Sequence, residues 1–487
     1  MLLEAIRRSA LRQGDKPAYR CGTARLSYRQ LWSGALRLAA ALKAQGAGPV
    51  LVWGHKEPAV PLSFLACLLA GRPYVPCDVS CPPARAQSIC RESGASLVLA
   101  CAPLPPFGDT PVITPPAPAV LCAPGPLPAW EPPSSGDAYI LFTSGSSGQP
   151  KGVRVTLANL EHFTAWFLSL PAMAETAGGV CVNQALYSFD LSVADLYPTW
   201  VAGGTLFALD TACQQDLTAL YSALAESGGT RRTCTPSFIR LCLRDPRFCP
   251  QLMPRLRAVF FCGDVLPPRA AAALHQRFPG ARLVNAYGPT EATCAVCAVE
   301  LAFPLPPGPC PVGRAAGAAV RLCILDEAGR PLPAGRPGEI CLVGPSVAAG
   351  YLGGAPGGFC TLQGSAAYRT GDQGFLKDGL LWFSGRRDRQ VKYKGYRVEP
   401  AELEAALLAL SGVRHAAVLA LPGPGASVAG LAAFVEWAGR PLAPAALREQ
   451  LARTLPAYLL PRRCVSLAAM PFTPAGKPDL RALKEFL

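Results

Sequence analysis

Small hydroxyl residues and glycines follow an apolar run in the stretch YILFTSGSSGQPKG, residues 139–152. Such residues let backbone N–H groups approach an anion closely, and Lys151 near the end of the stretch adds a mobile positive charge. A flexible Gly/Ser linker is the alternative interpretation, but linkers seldom follow a strand so abruptly or end in Pro-Lys-Gly. The spacing does not fit the G-x-x-x-x-G-K-[ST] loop. The stretch therefore predicts a phosphate-binding loop of another kind.

A second stretch, SFDLSVADLYP (188–198), sets two aspartates among apolar residues, where an unpaired carboxylate is costly to bury. Its periodicity predicts a helix with Asp190 at the start and with Asp190 and Asp195 on different faces. Asp190 is either an N-cap that accepts backbone N–H bonds or a functional group, and the stretch alone leaves both open. For Asp195 we expect a solvated helix position.

Four further segments carry residues suited to nucleotide chemistry. VNAYGPTEAT (284–293) sets Tyr, Thr and Glu around a Gly-Pro turn, and YRTGD (368–372) ends in an aspartate suited to a ribose diol. GRRDRQVKYKGYRVE (385–399) lies at a domain boundary, and TPAGKPDL (473–480) sets a lysine after a glycine near the C-terminus. Each segment alone is a weak signal, but all of them in this order along the chain are a strong one.

In this order and spread, the segments resemble the adenylate-forming superfamily: acyl-CoA synthetases, luciferases and the adenylation domains of nonribosomal peptide synthetases. The stretch FDLS is similar to the branch that activates amino acids, in which this aspartate holds the substrate ammonium. Further stretches, among them VWGHKEP, FCGDVLP and LPAYLLPRR, are similar to members that activate D-alanine. The resemblance covers essentially residues 1–487 and implies ATP and Mg²⁺ as cofactors.

The resemblance implies two half-reactions. D-alanine and ATP give D-alanyl-AMP and pyrophosphate, and the D-alanyl group then passes to the phosphopantetheine thiol of an acidic D-alanyl carrier protein, for D-alanylation of (lipo)teichoic acid. One alternative is a stand-alone adenylation enzyme for another small amino acid, such as L-alanine or β-alanine. Another is an inactive homologue that only docks a carrier protein.

The same resemblance implies roles for individual residues. Lys477 is the expected catalytic residue, which reaches the substrate carboxylate and the α-phosphate as a compact, mobile charge. Glu291 is expected to hold Mg²⁺, since one carboxylate plus phosphate oxygens is an ordinary site for that ion. Asp388 is the expected hinge, and Gly395 is expected to let the pantetheine arm pass. The expected ATP-binding residues are Thr143, Ser144, Gly145, Ser146, Ser147, Lys151, Asn285, Ala286, Tyr287, Gly288, Pro289, Thr290, Asp372, Phe383, Ser384, Gly385, Arg386 and Lys477.

The resemblance also implies an amino-acid pocket formed by Asp190, Cys262, Cys294 and Lys477. Cys262 is expected to help select the D enantiomer and to leave room only for a methyl side chain. Cys294 stands where the ligases that this chain resembles more often carry valine, and Asp264 replaces their glutamate. Because cysteine and valine are close in volume, we expect the pocket to stay small.

The pattern along the chain predicts the elements that position these residues. Residues 1–100 alternate helical stretches with short apolar runs, which is typical of βαβ units around a parallel sheet, and this rhythm returns from 137 to about 300. Short strands and Gly/Pro turns predict a β-rich subdomain at about 305–385. We therefore expect a multi-lobed α/β domain at 1–387 for ATP and the amino acid, and a small mobile α+β lid domain at 388–487.

Composition limits the other classes of function. The chain has 487 residues and a net charge of +14, but only 9 of its 46 basic residues are lysines and no basic run exceeds Arg-Arg. We therefore expect no nucleic-acid partner. No signal peptide or membrane span is recognisable, so we expect a cytoplasmic protein, and we expect a monomer. The 20 cysteines are scattered, and the single C-x-x-C (294–297) has no second pair nearby, so we expect reduced, buried thiols without zinc.

Overall fold

The computed structural model describes residues 2–123, 125–133, 135–145, 150–355, 357–423, 428–473 and 478–487. The chain divides into two compact units. The larger unit comprises Met1–Val79, Cys90–Leu141 and Gly152–Arg387. The smaller unit comprises Ser80–Ile89, Phe142–Lys151 and Asp388–Leu487.

A long mixed sheet runs through the larger unit. Its central strands pair in parallel, and the pairs at both ends are antiparallel. Because the carboxyl ends of parallel strands meet at one edge, the residues that follow Asn183, Phe261 and Tyr287 leave the sheet on the same side. In spatial order the strands are Arg314–Ala315, Cys297–Glu300, Arg282–Tyr287, Ala258–Phe261, Arg231–Cys234, Val180–Asn183, Thr205–Ala208, Pro17–Cys21 and Ala24–Ser27.

A second sheet is built around Val50–Trp53, which pairs in parallel with a strand on each side. These strands are buried on both faces, which explains why they read as continuous apolar runs such as VLVW and LVLA. In spatial order the strands are Gly350–Tyr351, Lys151–Thr156, Asp137–Thr143, Tyr74–Cys77, Val50–Trp53, Leu97–Ala100 and Val112–Ile113.

The β-rich part of the larger unit is an antiparallel sheet. Its longest strand, Ser365–Lys377, pairs with three others, and this pairing sets Asp372 opposite Arg386. The remaining strands of this sheet are Arg321–Leu325, Gly338–Val343, Phe359–Leu362 and Leu380–Arg386.

Helices alternate with the strands of the mixed sheet and of the second sheet. Sequence-local signals begin some of them: Ser27 and Gln30 form a capping box before Tyr28–Ala44, and Thr156 and Asn159 form another before Leu157–Ser169. The other helices before residue 388 are Leu2–Arg12, Ala59–Ala70, Pro83–Ser93, Pro118–Leu121, Pro171–Glu175, Leu191–Val201, Thr211–Gln215, Leu217–Ser227, Pro236–Cys242, Pro268–Arg277 and the 3-10 turns Thr290–Ala292 and Leu352–Gly354.

The helix Leu191–Val201 corrects one sequence-based expectation. It packs against the helices Leu2–Arg12 and Leu157–Ser169 and against the mixed sheet, so that residues 191–200 are all buried. Asp195 on this helix is 0% exposed, and its carboxylate accepts hydrogen bonds from Cys181 Sγ (3.1 Å) and Asn183 Nδ2 (2.9 Å). The expectation of a solvated Asp195 is therefore wrong.

The smaller unit carries a sheet of its own after the hairpin Val391–Tyr393 and Tyr396–Val398. The strands Val413–Pro422 and Val428–Trp437 are antiparallel, and Arg463–Leu467 pairs in parallel with the second. Apolar clusters lie on both faces of this sheet. The helices and 3-10 turns of this part are Pro400–Leu408, Pro444–Ala452, Ala457–Leu459, Leu480–Leu483 and Lys484–Phe486.

All 20 cysteines lie in the described part of the chain and are free. Ten are buried and nine are partly buried, so the expectation of buried thiols holds for half of them, and Cys360 alone is exposed. Burial raises the pKa of many of these thiols, that of Cys181 to about 12. Within the described ranges, no helix is both long enough and apolar enough to cross a membrane.

Candidate active site

Asp190 lies at the shared carboxyl edge of the mixed sheet and is half-buried. It precedes the helix Leu191–Val201, but its side chain does not cap the helix. Its Oδ2 accepts a hydrogen bond of 2.6 Å from Thr290 Oγ1. The N-cap interpretation is therefore wrong, and the structure brings together the stretches FDLS and YGPTE. The substrate role of Asp190 stays a prediction.

Two buried cysteines lie next to each other, and one of them, Cys294, lies near the Asp190 carboxylate. Cys262 directly follows the strand Ala258–Phe261, and its Sγ lies 3.7 Å from the carbonyl oxygen of Cys294. Both side chains are buried, and burial, followed by the charge of Asp190, raises the pKa of the Cys294 thiol far above its usual value. A neutral thiol of modest size therefore lies near enough to the carboxylate to sense its charge. We call Asp190, Thr290, Cys262 and Cys294 the amino-acid wall.

The backbone of this wall is strained at a place that sequence patterns did not reveal. Thr293 and Cys294 have φ values of 59° and 70°, a region that side chains other than glycine rarely adopt. Gly288 explains how the chain fits here, because a Cβ at Gly288 would lie 2.5 Å from the Cα of Ala295. The loop from 288 to 295 is thus folded back on itself and requires glycine at that position.

A second cluster lies where the long strand Ser365–Lys377 meets its partner. Asp372 is 4% exposed; it pairs with Arg386 through Oδ1 and accepts a hydrogen bond of 2.5 Å from the Tyr287 hydroxyl through Oδ2. Arg386 also donates to the carbonyl oxygen of Thr370 at 3.2 Å. Burial and the adjacent carboxylate raise the pKa of the Tyr287 hydroxyl, so it stays a donor. We call Tyr287, Asp372 and Arg386 the ribose corner.

The other predicted nucleotide residues of the larger unit surround these clusters. Asn285 and Ala286 are buried in the strand before Tyr287, and Asn285 Nδ2 donates to the carbonyl oxygen of Pro311 at 2.7 Å. Phe383 tilts toward the Tyr287 ring with centroids 6.3 Å apart. Three more predicted residues are partly buried or exposed: Pro289, Ser384 and Gly385.

Glu291 is the expected Mg²⁺ ligand. It is 0% exposed, on the 3-10 turn Thr290–Ala292, and its Oε1 accepts a hydrogen bond of 2.7 Å from the Tyr351 hydroxyl. An ionised carboxylate offers about four lone-pair sites, so it can accept hydrogen bonds and bind a cation at the same time. Mg²⁺ usually takes one or two carboxylates and completes its shell with substrate phosphates and water. The residue type and place therefore fit the ion.

Several predicted residues belong to the smaller unit. Thr143 Oγ1 donates to the carbonyl oxygen of Lys151 at 3.5 Å, and Ser144 Oγ donates to that of Arg397 at 2.9 Å. Gly145 follows them in the loop. Ser146 and Ser147 lie outside the described residues, and so does the expected catalytic Lys477.

Two further residues of the smaller unit were expected to serve domain movement and passage of the pantetheine arm. Asp388 is the first residue after the larger unit ends at Arg387, and its Oδ1 accepts a hydrogen bond from the backbone N–H of Gln390. Lys394 and Gly395 form the two-residue turn of a hairpin, with φ values of 53° and 86°. The turn itself favours glycine here. The hinge and passage roles stay predictions.

Sequence reasoning missed a polar cluster beneath the amino-acid wall. Lys56 Nζ donates to Asn183 Oδ1 and to the carbonyl oxygen of Ala185, both at 2.6 Å, and Asn183 in turn donates to Asp195. A signal was available, because Lys56 follows a wholly apolar strand and Asn183 ends another. Polar residues at the carboxyl ends of parallel strands commonly lie at functional sites.

Comparison with known protein families defines the class. The family described as AMP-binding enzyme matches residues 6–352, and its C-terminal domain matches residues 402–477. The chain therefore belongs to the AMP-binding enzyme family, and the resemblance to adenylate-forming enzymes is confirmed.

Among curated relatives, the chain is 37% identical to the D-alanine–D-alanyl carrier protein ligase of Bacillus licheniformis, over 99% of each chain. It is 36% identical to the ligase of the same name from Bacillus thuringiensis, over 99% of this chain and 98% of the relative. The similarity thus extends over nearly the full length of both relatives.

Solved structures agree on the fold. A nonribosomal peptide synthetase protein containing adenylation and PCP domains, bound to a vinylsulfonamide inhibitor, matches with a TM-score of 0.83 and 27% identity, over 100% of this chain and 84% of that one. A Vibrio cholerae adenylation domain in complex with glycyl-adenosine-5'-phosphate matches with a TM-score of 0.84 and 24% identity, over 100% and 97% of the two chains. The predicted fold class, a multi-lobed α/β domain with a small α+β domain, is confirmed.

Proposed function

We propose that this chain is an ATP-dependent ligase that activates D-alanine as D-alanyl-AMP and transfers it to a carrier protein. In the first step the D-alanine carboxylate attacks the α-phosphate of ATP, and pyrophosphate leaves. In the second step the phosphopantetheine thiol of the carrier loses its proton and attacks the acyl carbon, and AMP leaves. The full-length similarity to D-alanine–D-alanyl carrier protein ligases supports both steps.

The observation that carries the proposal is the 2.6 Å hydrogen bond between Asp190 and Thr290. It puts a carboxylate, suited to a substrate ammonium, beside the motif that is expected to contact the α-phosphate. An amino acid whose ammonium binds Asp190 would direct its own carboxylate toward that phosphate. Such positioning converts the reaction into an effectively unimolecular one.

The proposed substrate is small, as the two buried cysteines of the amino-acid wall suggest. Cys262 and Cys294 are both buried, and the strained backbone at Cys294 leaves little freedom for the wall to move. A methyl side chain is the proposed limit. The pocket discriminates against larger side chains because overpacking a closely packed site is unfavourable.

In the proposed nucleotide site, the ribose hydroxyls bind Asp372 and Tyr287 stays a neutral donor. Asn285, Ala286, Gly288 and Pro289 form the wall beside the adenine, and Glu291 would hold Mg²⁺, which would neutralise phosphate charge. Lys477 is the proposed catalytic lysine. Its expected action is to stabilise charge that develops on the α-phosphate and the substrate carboxylate.

The proposed partner is an acidic, phosphopantetheinylated D-alanyl carrier protein, and the proposed product serves (lipo)teichoic acid D-alanylation. The net charge of +14 suits an acidic partner. We place the reaction in the cytoplasm, where ATP is available, and propose that the enzyme acts as a monomer. Size-exclusion chromatography with light scattering tests the latter, and a dimer would contradict it.

The deciding experiment is ATP–pyrophosphate exchange with D-alanine, L-alanine, β-alanine and glycine. Exchange that depends on D-alanine, with kcat/KM at least about tenfold above that of L-alanine, is the expected result. A higher kcat/KM for another small amino acid would identify the stand-alone adenylation enzyme instead. No exchange with any amino acid would favour an inactive homologue that only docks a carrier.

A further inference from the structure

Lys56 is a buried cation that the predicted chemistry does not use. Its side chain is 2% exposed, and its ammonium donates to Asn183 Oδ1 and to the carbonyl oxygen of Ala185. Its own carbonyl oxygen accepts a hydrogen bond of 2.6 Å from the Tyr19 hydroxyl. Lys56 thus follows a strand of the second sheet but is held by residues that belong to the mixed sheet or directly follow it.

The side-chain amide of Asn183 connects the ammonium of Lys56 to a carboxylate. Asn183 accepts from Lys56 through Oδ1 and donates through Nδ2 to Asp195, at 2.6 and 2.9 Å. The amide therefore joins a buried ammonium to a buried carboxylate, and both are drawn into one polarised chain of hydrogen bonds. Asp195 also lies near Arg231, and Asp78 also acts on the charge of Lys56, so the amide joins two members of a larger buried group of charges.

The contacts of Lys56 lead directly to Asp190. Its ammonium holds the backbone at Ala185 and lies 3.7 Å from the centre of the Tyr187 ring, a cation–π contact. The turn that follows is closed by Ser192 Oγ, which donates to the carbonyl oxygen of Phe189 at 2.7 Å. The segment from 185 to 192 is thus fixed at both ends, and Asp190 lies inside it.

From this geometry we propose that Lys56 is a positioning residue of the amino-acid wall: by holding Ala185 and Tyr187 it sets the place of Asp190 and so the affinity for the substrate ammonium. The inference rests on the proposed function, because it takes Asp190 to bind the amino acid. A displacement of Asp190 of about 1 Å would be enough to weaken that contact severely.

The charge state of Lys56 gives the inference a measurable signature. Burial lowers the pKa of its ammonium to about 7, although the carboxylates of Asp78 and Asp195 and the thiol of Cys21 oppose this shift. Above that pH the amine keeps its hydrogen bonds less firmly and loses the cation–π contact. The titratable groups that contact Lys56 or act on its charge are Tyr19, Cys21, Asp78, Tyr187 and Asp195. Its neighbours in the chain, His55 and Glu57, are titratable as well.

The test is ATP–pyrophosphate exchange by the full chain and by Lys56→Met, with Lys43→Met on an exposed helix end as the matched control. We expect Lys56→Met to raise the KM for D-alanine about tenfold or more and to change the KM for ATP less than about twofold. The control should match the unmodified chain. Equal changes in both KM values, or an unchanged KM for D-alanine, would overturn the role.

The pH profile separates positioning from a merely structural role. In the unmodified chain the KM for D-alanine, divided by that of Lys56→Met at the same pH, should rise as pH passes through about 7. Taking the ratio cancels the titration of the substrate itself. If Lys56→Met fails to fold, the unmodified chain alone provides the test. Its KM for D-alanine is then measured from about one pH unit below the titration of Lys56 to about one unit above it. A KM that does not change over this range would overturn the inference.

The double variant Lys56→Met/Asp195→Asn removes both buried charges together. We expect it to keep the raised KM for D-alanine whatever its thermal stability, because Ala185 and Tyr187 still lack their cation. If the KM for D-alanine of the double variant returned to that of the unmodified chain, the positioning role of Lys56 would be contradicted. Absence of any D-alanine-dependent exchange in the unmodified chain would instead contradict the proposed function, so the two failures are distinguishable.

Discussion

The ribose corner and the amino-acid wall each place an aspartate beside the loop from Tyr287 to Thr290, but they hold it in different ways. Asp372 is 4% exposed and is paired with the guanidinium of Arg386, whereas half-buried Asp190 accepts a hydrogen bond from the neutral hydroxyl of Thr290. Loss of Asp372 therefore takes the charged partner from the Arg386 guanidinium and should lower the stability of the fold. Asp190 accepts from a neutral hydroxyl and is proposed to bind the substrate ammonium, so the effect of its loss should fall mainly on the substrate.

The largest effect is expected from removing Lys477, which is proposed to act on both the nucleotide and the amino acid. Lys477→Ala should lower the rate of adenylate formation about 10²- to 10³-fold, because fixed charge at the reacting phosphate is lost. Thioester formation from supplied D-alanyl-AMP should fall much less. Single-turnover assays of each half-reaction measure the two rates.

The matched control for this change is Lys484→Ala, which alters an exposed lysine near the same end of the chain. It should leave both half-reactions unchanged. If Lys477→Ala lost both half-reactions to the same extent, the proposed role of Lys477 in adenylate formation would be contradicted.

Asp190→Asn should raise the KM for D-alanine by on the order of 30- to 100-fold, since a hydrogen bond to a charged group contributes about 2 to 3 kcal/mol. The KM for ATP should change less than about threefold, and thermal stability should be close to that of the unmodified chain, because the amide still accepts from Thr290. Asp109→Asn, on an exposed loop, is the control. A larger effect on ATP than on D-alanine would reverse the proposed division between the regions.

Asp372→Asn should show the opposite pattern. The KM for ATP should rise about tenfold and the free energy of unfolding should fall by about 2 to 3 kcal/mol, because Arg386 loses its charged partner in a nearly buried place. Chemical denaturation and exchange kinetics measure the two effects. An unchanged free energy of unfolding would show that the ion pair of Asp372 with Arg386 does not make the ribose corner differ from the amino-acid wall.

The smallest expected effect is a pH dependence of stability that arises from Lys56. Between its folded-state pKa of about 7 and its ordinary value of 10.5, Lys56 holds a proton in the unfolded chain but not in the folded one. The free energy of unfolding should therefore increase with pH by up to about 1.4 kcal/mol per unit in that window. Lys56→Met should lack this increase. Chemical denaturation of the unmodified chain and of Lys56→Met from pH 7 to 8.5, over about one and a half units, measures the difference. Parallel series would show that Lys56 stays charged.

Much of this comparison was visible in the sequence, because loops at the carboxyl ends of strands carry short patterns that do not depend on packing. Asp190 and Glu291 belong to such patterns, and Asp372 belongs to a short pattern within a strand. The burial of Asp195 was not foreseen, since helical periodicity assigns one face to the core, whereas the helix Leu191–Val201 is enclosed on every side. An apolar stripe along a helix gives no sign of which polar residues on its other faces will find partners inside the fold.

The strained pair Thr293 and Cys294 was also invisible, for a different reason. Sequence patterns mark left-handed backbone by glycine or asparagine, and neither residue is either. Their conformation is imposed by the close approach of Ala295 to Gly288, a contact between residues that come together only in the folded loop. Packing between residues that meet only in the folded loop cannot be predicted from a short sequence pattern. The same holds for the hydrogen bonds that connect Lys56 to Asp195 through Asn183.

The distribution of cysteine exposure has a practical consequence for measuring unfolding. A thiol reacts as its thiolate, and burial raises the pKa of the Cys67 thiol, while Cys360 is exposed on the strand Phe359–Leu362. A maleimide added to the folded chain should therefore label Cys360 first. Each later label would record the opening of the element around a buried cysteine: Cys67 reports on the helix Ala59–Ala70, and Cys234 reports on the strand that it ends. Mass spectrometry of labelled peptides would thus time the opening of each part of the molecule.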